Sequence, residues 1–400
     1  MIYNFSDITQ LHLEITSNCN AACPLCPRNY LGYPMNLGYV EHDMTLAEAQ
    51  KIFSPTFLAQ LKNITINGNF GDMVMNPHTI DILKYFKEQA PQVRIDISTN
   101  GGARDKSFWT SLATVADEVS FCLDGLEDTH HLYRQNTVFS TVLKNAQTFI
   151  NAGGTAVWKM IKFDHNAHQL EACRELSKTM GFMYFLLVDD GRNHGPVFDK
   201  NKKLSHWIGT PLKNVFGPED SFREFTEYDI DSLNKINHPT DFPDIPEWVG
   251  TQATDRIIQW QATKTPVIHC QVKRNKSLYV SSTGDVYPCC YLGFNPKKFQ
   301  HRGEQGHGNI QLAELISENN ALEYDLEHCI TWFNKVSESW SRSSVADGTI
   351  LSCITTCGKE LPRLEETLTA VQLYGDALKV FNDYRYRIES KSSTSDPAQS

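Results

Sequence analysis

Six short segments in the first half of the chain are rich in β-branched and aromatic residues, and several of them alternate apolar and polar positions. Segments of this kind predict β-strands. The predicted strands are 11–15 (LHLEI), 63–67 (NITIN), 93–98 (VRIDIS), 118–124 (EVSFCLD), 156–163 (AVWKMIKF) and 183–188 (MYFLLV).

Helix-length segments lie between these strands, and several end in Gly or Asn, which helix C-caps favour. Asp43 precedes the first segment and is predicted to be its N-cap. Strands that alternate with helices predict an α/β fold with a parallel sheet, and periodicity leaves undecided whether that sheet is open or barrel-like. The predicted helices are 44–53, 77–89, 107–115, 138–153 and 166–181.

The alternation ends near Asp189, where Gly, Pro and aromatic residues predict an ordered connector. Further along, SLYVSSTGDVYPCCYLG predicts a β-hairpin that turns at Thr283, Gly284 and Asp285. The predicted domains are an α/β core over 1–198, a connector over 199–265, a smaller hairpin-and-helix domain over 266–360, a helix over 361–390 and a disordered tail over 391–400.

Composition places the chain among ordinary globular proteins and excludes some partners. It has 400 residues, of which 40% are hydrophobic and 21% charged, and its formal net charge is −10 without a run of Lys or Arg. This charge disfavours a nucleic-acid partner. No apolar stretch approaches the roughly 20 residues of a membrane span, and the N-terminus does not resemble a secretion signal. We therefore expect a cytoplasmic protein.

Eleven cysteines change this picture, because most of them fall into an early and a late group. In a reducing cytosol, such groups favour metal or cofactor ligation over disulfides. Cys122 and Cys173 fall inside apolar or helical patterns and are predicted to be buried small hydrophobes. The early group is Cys19, Cys23 and Cys26, and the late group is Cys270, Cys289, Cys290, Cys329, Cys353 and Cys357.

The early group admits three interpretations. A zinc site needs a fourth ligand, and His12 lies in a predicted strand rather than at ligand spacing. Reduced structural cysteines are a second interpretation, although a loop rich in Pro and Asn is not an apolar face. The third is an iron–sulfur cluster with one iron left open for a substrate or cofactor.

The spacing C-x3-C-x2-C after the first strand of an α/β chain resembles the radical S-adenosylmethionine (radical SAM) superfamily. The resemblance implies a partial (β/α)6 TIM-like barrel. It also implies a [4Fe–4S] cluster on Cys19, Cys23 and Cys26, whose open iron binds SAM. An electron from such a cluster cleaves SAM to a 5′-deoxyadenosyl radical, which abstracts hydrogen from the substrate.

Segments after the later strands extend the resemblance and imply further cofactor contacts. In NGNFGDMVMNP (67–77), Asp72 stands where the family has Glu, and Cys122 of CLDG (122–125) replaces the usual Ser. Leu25 takes the place of a common aromatic over adenine. The residues carried over as SAM contacts are Leu25, Gly71, Asp72, Ser98, Asn100, Asp124 and Lys159.

The late group resembles the auxiliary-cluster domains called SPASM and Twitch, through its C-x13-G-x4-C spacing. The number of cysteines favours Twitch, with one auxiliary [4Fe–4S] cluster closed by four thiolates. The implied ligands are Cys270, Cys289, Cys353 and Cys357. Cys290 and Cys329 are either incidental or catalytic hydrogen-atom donors, and Cys329 is an alternative ligand to Cys353.

The resemblance implies substrates of two kinds. A ribosomally made peptide is the leading hypothesis, modified by Cα epimerisation, crosslinking or oxidation, and a small alcohol of cyclitol type is the alternative. A non-enzymatic iron–sulfur or zinc scaffold is an alternative of another class. Asp189, Arg192 and His194 follow the sixth strand and are predicted substrate contacts. Flavodoxin or ferredoxin is the expected electron donor. The first strand begins almost at once, so no leader-binding domain is expected before it.

Overall fold

A nine-stranded, mostly parallel sheet organises the protein. The computed structural model describes residues 2–26, 28–30, 33–34, 41–188, 195–198, 204–208, 268–293, 312, 315–342, 348–350, 352–353, 357 and 371–373. In sheet order the strands are β12 (Val286–Tyr287), β11 (Ser277–Val280), β1 (Gln10–Leu13), β4 (Asn63–Ile66), β5 (Arg94–Thr99), β6 (Glu118–Cys122), β7 (Ala156–Ile161), β8 (Tyr184–Val188) and β13 (Val371–Leu373).

The strands from β11 to β8 run parallel, and only the outer strands β12 and β13 are antiparallel to their neighbours. All six predicted strands are present, in sequence order from β1 to β8. Within the described ranges β1 and β8 do not pair, so the sheet is open. The predicted α/β fold, an incomplete barrel of six β/α units, is therefore confirmed.

Helices connect the parallel strands, and all five predicted helices are found. Two short ones, α2 and α5, were not predicted. The helices are α1 (Leu46–Ile52), α2 (Pro55–Gln60), α3 (Thr79–Gln89), α4 (Lys106–Leu112), α5 (Glu127–Tyr133), α6 (Phe139–Asn151), α7 (Leu170–Met180), α8 (Gln271–Asn275), α9 (Leu326–Cys329) and α10 (Phe333–Ser339).

The N-cap of α1 differs from the prediction. Thr45, not Asp43, accepts from the backbone N–H of Glu48, and the Glu48 side chain accepts from the Thr45 backbone in return. This capping box satisfies the backbone N–H groups of Thr45 and Glu48 without Asp43, which makes a different contact. Its carboxylate accepts from the Thr16 hydroxyl at 2.5 Å and from Asn18 Nδ2 at 3.2 Å, which ties it to the segment after β1.

The hydrophobic core lies between the sheet and its helices. Alternate strand residues such as Ile97, Phe121 and Trp158 are buried in one cluster with helix residues such as Phe86 and Phe149. The alternation follows from the two-residue period of a strand, which sends every second side chain to the helical face. Cys173 is fully buried in this core and Cys122 is 8% exposed, as predicted.

The other face of the sheet is polar. Thr65, Ser98, Ser120 and Lys159 alternate with buried apolar residues and are partly exposed. In a closed barrel the corresponding positions form packed apolar layers. Here the open sheet instead leaves a polar inner face beneath the carboxyl ends of the strands.

The late hairpin joins this sheet directly. β11 and β12 form the predicted hairpin, and Gly284 has a φ of +82° in its turn, a conformation that favours glycine. β11 also pairs in parallel with β1, Gln10 opposite Ser277 and Leu13 opposite Val280. The residues predicted as a second domain thus add two strands beside β1, and the domain division itself stays a prediction.

The predicted helix over 361–390 is wrong at Val371–Leu373. These residues form β13, which pairs antiparallel with β8. At the edge of the sheet, β8 offers backbone N–H and C=O groups that need hydrogen-bond partners. Pairing with these groups outweighs the helical pattern of the local sequence. The other residues of that prediction, and the predicted tail, lie outside the described residues.

Two small hairpins complete the described structure. β2 (Asn29–Tyr30) pairs with β3 (Tyr33–Pro34), and β9 (Gly195–Phe198) pairs with β10 (Leu204–Ile208). The second hairpin extends into the segment predicted as a connector. Across the described ranges, no helix combines the length and apolar character needed to cross a membrane.

Candidate functional site

The early cysteines lie in the loop that follows β1. Cys23 is 7% exposed, and Cys19 and Cys26 are partly buried. The Cys26 backbone N–H donates to the Cys23 carbonyl at 3.1 Å, which closes a tight turn. Burial raises the pKa of the Cys19 thiol, and it raises the pKa of Cys23 to about 11, with the neighbouring thiols adding to both shifts. The three thiols are therefore close enough to interact.

An arginine fixes this loop to the next one. Arg28 donates through Nη1 to the carbonyls of Ser17 and Phe70, the latter at 3.0 Å. Its Nη2 also lies 3.5 Å from a carboxylate oxygen of Glu41. One side chain thus joins the cysteine loop to the loop after β4.

The loop after β4 places Asp72 beside the thiols. The Asp72 carboxylate accepts from the Thr99 hydroxyl and from the Asn100 N–H, both at 2.6 Å, and from the Val74 N–H at 3.2 Å. Burial raises the pKa of Asp72, and its charge adds to the raised pKa of Cys19. Two predicted cofactor contacts, Asp72 and Asn100, are therefore brought together next to a predicted cluster ligand.

Asn100 contacts the cysteine loop through its side chain. Its Nδ2 donates to Asn20 Oδ1 at 2.9 Å and lies 3.7 Å from Cys19 Sγ. Ser98, two residues before Asn100 on β5, lies on the polar inner face of the sheet. Lys159 lies on the same face, on β7. Leu25 packs with Cys23, Ile161 and Phe163 in a small apolar cluster.

Asp124 occupies a more enclosed position than the resemblance suggests. It has no exposed surface, and its two oxygens accept from Arg134 Nε at 2.5 Å and from the Ile161 N–H at 2.6 Å. The predicted ribose contact stays a prediction, and it requires Asp124 to accept a further hydrogen bond or to release Arg134.

Glu14 is a site residue that the sequence reasoning missed. It is 2% exposed, and its carboxylate accepts from the Phe70 and Gly71 N–H groups at 2.7 Å each and from the Tyr279 hydroxyl at 2.5 Å. Glu14 thereby connects β1, the Gly71 loop and the β11 hairpin. An acidic residue within the predicted strand LHLEI was the available signal.

Close approach of backbones makes glycine necessary at position 71. A Cβ built on Gly71 would overlap the Thr16 carbonyl oxygen and would lie 3.0 Å from the Asn18 carbonyl oxygen. The Asp72 N–H donates to that same Asn18 carbonyl at 2.9 Å. Glycine at position 71 thus has a steric reason, since any side chain would push this loop away from the cysteine loop. The predicted contact between Gly71 and SAM stays a prediction.

Four late cysteines form a second group of interacting thiols. Burial is the largest cause of the raised pKa values of Cys270, Cys289 and Cys353. The neighbouring thiols add to these shifts: Cys290, Cys353 and Cys270 raise the pKa of Cys289, and Cys270 and Cys357 raise the pKa of Cys353. The His269 N–H also donates to the Cys357 carbonyl at 2.8 Å. The structure therefore brings together Cys270, Cys289, Cys353 and Cys357, the four predicted auxiliary ligands.

Cys329 lies apart from this group. It is fully buried on α9 in the main core, and after burial the groups that raise its pKa are carboxylates, led by Asp325. This placement favours Cys353 over Cys329 as the fourth ligand. It also keeps the Cys329 thiol from a substrate unless the core opens.

Cys290 is close to the loop after β4. Its carbonyl accepts from Asn69 Nδ2 at 2.8 Å. Its thiol is partly buried, and burial together with the Glu14 charge raises the pKa of that thiol to about 11. Of the two predicted hydrogen-atom donors, only Cys290 lies beside the predicted cofactor contacts. Asp189, Arg192 and His194, the predicted substrate contacts, lie outside the described residues.

The donor groups are suited to iron–sulfur clusters at both places. Buried thiols with raised pKa values need a nearby positive charge to become thiolates, and a bound metal supplies it. Near the late group, the Trp340 indole N–H is buried and has no hydrogen-bond partner among the described residues, while a Cys353 thiolate would accept it. Among all the residues that the structure describes, no three Cys, His, Asp or Glu side chains converge as ligands of one metal ion. A cubane binds each cysteine through a different iron, so its ligands do not share one point.

Comparison with known proteins found similar chains among solved structures. No protein-family model matches the chain, and no curated protein matches it. Among solved structures, Streptococcus suis SuiB bound to S-adenosylmethionine has a TM-score of 0.49 at 14% identity, over 86% of this chain and 72% of that one. A structure of anSMEcpe with bound AdoMet has a TM-score of 0.48 at 14% identity, over 97% of this chain and 96% of that one. BtrN in complex with AdoMet and 2-DOIA has a TM-score of 0.41 at 12% identity, over 91% and 98%. Similarities this distant do not assign a function, which has to be argued from the site.

Proposed function

We propose that this protein is a radical SAM enzyme. The observation that carries the proposal is the loop after β1, which holds three mutually interacting thiols, one of which, Cys19, lies beside Asp72 and Asn100 from the next two strand ends. The carboxyl ends of parallel strands are where α/β enzymes assemble their chemistry. Three thiolates leave a fourth position open, as a site that binds a reactant requires.

Cys19, Cys23 and Cys26 would hold a [4Fe–4S] cluster, which when bound supplies the electron for reductive cleavage of SAM. Asp72 is positioned to accept a hydrogen bond from an ammonium group, because Thr99 and Asn100 hold its carboxylate beside Cys19. Lys159, on the polar inner face, is the proposed partner of the SAM carboxylate.

Apolar side chains also cover Cys23 in this loop. Tyr133, Ile161 and Phe163 pack with Cys23, and Val197 of β9 covers the same cluster without exposed surface. Such an apolar surrounding strengthens electrostatic interactions inside the site. It also protects a reactive intermediate from solvent.

The late thiols would hold a second, fully ligated [4Fe–4S] cluster. Cys270, Cys289, Cys353 and Cys357 supply four thiolates, so this cluster would have no open position for a substrate. Its proposed role is electron transfer or structural support. The Trp340 N–H is available to donate to it.

The leading candidate substrate is a ribosomally made peptide, and a small alcohol of cyclitol type is the alternative. The polar inner face suits a substrate with hydrogen-bonding groups, and both a peptide and a polyol meet that description. Cys290 remains the proposed hydrogen-atom donor for epimerisation, because it lies beside the loop after β4.

Reductive cleavage of SAM is the direct test of the proposed function. Protein reconstituted anaerobically with iron and sulfide, then reduced with dithionite in the presence of SAM, is expected to produce 5′-deoxyadenosine, measured by liquid chromatography. The triple variant Cys19→Ala, Cys23→Ala, Cys26→Ala is the control, since it removes the proposed ligands. Product from the wild type that does not exceed the control would refute the enzyme assignment.

Iron content tests the second cluster. The wild type is expected to hold about eight iron atoms per chain, and Cys353→Ala with Cys357→Ala about four, because two cubanes require two complete ligand sets. Cys173→Ala is the matched control, a buried cysteine outside both groups. Four iron atoms in the wild type would rule out the auxiliary cluster and leave the first one in place.

A further inference from the structure

A buried ion pair lies against the cysteine loop. Arg134 Nε donates to Asp124 Oδ2 at 2.5 Å, and the Asp124 carboxylate has no solvent exposure. The Arg134 side chain is 14% exposed. The guanidinium carbon also lies 5.3 Å from the centre of the Tyr133 ring. Charges buried to this degree interact strongly with any neighbouring charge, since little water screens them.

The other end of the guanidinium reaches a predicted cluster ligand. Arg134 Nη1 lies 3.8 Å from Cys23 Sγ, within the range of an N–H···S hydrogen bond. The guanidinium places a positive charge against this sulfur, and the Asp124 carboxylate places a negative charge 2.5 Å from Arg134 Nε. Arg134 and Asp124 therefore act on the same sulfur with opposite sign.

Taken as a unit, the ion pair is neutral, so each single neutralisation leaves one uncompensated charge near Cys23. Asp124→Asn leaves the positive charge of Arg134, and Arg134→Gln leaves the negative charge of Asp124. Reduction adds one electron to an iron–sulfur cluster, and nearby positive charge favours the reduced form. Net charge and hydrogen bonds to sulfur are among the factors that set cluster potentials.

We propose that the Arg134–Asp124 ion pair sets the reduction potential of the iron–sulfur cluster in the cysteine loop. Arg134 donates to the Cys23 thiolate and favours the reduced cluster, and Asp124 both positions Arg134 and limits its effect. The electron comes from a one-electron donor, and the cluster charge falls by one. This inference rests on the proposed function, because it requires a cluster on Cys19, Cys23 and Cys26.

An EPR-monitored redox titration of the reconstituted protein tests this proposal. The cluster of the cysteine loop is identified as the one whose spectrum changes when SAM is added. Asp124→Asn is expected to raise its midpoint potential and Arg134→Gln to lower it. Each variant should shift the midpoint potential by about 59 mV. For a one-electron couple, this shift changes the ratio of reduced to oxidised cluster about tenfold at a fixed potential. Loss of structure alone would not move the two variants in opposite directions.

A matched ion pair elsewhere provides the control. Arg94 and Glu118 lie 2.8 Å apart near the amino ends of β5 and β6, at the other end of the strands from the cysteines. Arg94→Gln and Glu118→Gln are expected to leave the potential unchanged. Arg134→Lys keeps the charge and should lie closer to the wild type than Arg134→Gln does.

Each outcome bears on a separate claim. An unchanged or lowered potential in Asp124→Asn overturns the inference, whether or not Arg134→Gln assembles a cluster. A raised KM for SAM with an unchanged potential would assign Asp124 to ribose binding instead. A wild type that assembles no cluster on the loop would overturn the proposed function itself.

Discussion

Alanine at position 71 is expected to stop the loop after β4 from closing onto the cysteine loop, with a loss of about 3 kcal/mol in stability. The added Cβ would overlap the Thr16 carbonyl oxygen, and that oxygen belongs to a rigid backbone. Iron bound after reconstitution should fall together with the midpoint of chemical denaturation. Both effects follow because the Asp72 N–H and the Asn18 carbonyl would separate.

Gly153→Ala is the control for Gly71→Ala. Gly153 has a φ of +89°, and a Cβ there would meet no atom within 4 Å. This variant carries only the conformational cost of a left-handed residue, about 1 kcal/mol, and should retain its iron. Equal stability and equal iron content in Gly71→Ala and Gly153→Ala would show that the close approach at Gly71 has no effect.

Removing the Glu14 carboxylate is expected to destabilise the protein by about 4 kcal/mol. Glu14→Ala leaves the Phe70 and Gly71 N–H groups and the Tyr279 hydroxyl without their acceptor, and each unsatisfied buried group costs about 1–3 kcal/mol. Tyr279→Phe removes one of these bonds and should cost about 2 kcal/mol. Urea denaturation of the two single variants and the double variant measures their coupling, and simple additivity would contradict the shared contact.

The pH dependence of stability separates the Glu14 charge from its hydrogen bonds. Burial raises the pKa of Glu14 above its ordinary value of 4.5. The folded protein thus holds this proton more tightly than the unfolded chain, and the resulting stabilisation is lost as pH rises from 4.5 through the raised pKa. Glu14→Gln cannot ionise, so its stability relative to the wild type should increase over that range. A constant difference across this pH range would mean that the pKa of Glu14 is the same in both states.

Local pattern was sufficient for most of the sheet and for the early group of cysteines. The two-residue period of the strands and the spacing C-x3-C-x2-C are properties of adjacent residues. They can therefore be recognised without any knowledge of tertiary contacts. The capping error at Asp43 is also local, since Thr45 two residues later offers the better N-cap geometry for α1.

Contacts between distant segments could not be predicted in the same way. Val371–Leu373 forms a strand because it pairs with the edge strand β8. The sequence near residue 371 gives no sign of this distant partner. Arg134 follows a short helix in an irregular segment, and only the tertiary fold places it beside Cys23 and Asp124. The preference for Cys353 over Cys329 has the same origin, since spacing alone permits both.

The pairing of β1 with β11 also orders the events of synthesis. The strands from β1 to β8 are complete once residue 188 has been made, and the early cysteine loop lies within them. The late thiols need Cys357, and β11 reaches its place beside β1 only after most of the chain has left the ribosome. Because a chain begins to fold as it emerges, the two cysteine groups would become ready to receive the proposed clusters at different times. A cell that loads both proposed clusters must therefore supply the first loop with iron and sulfide, or protect its thiols from oxidation, while the second half of the chain is still being made.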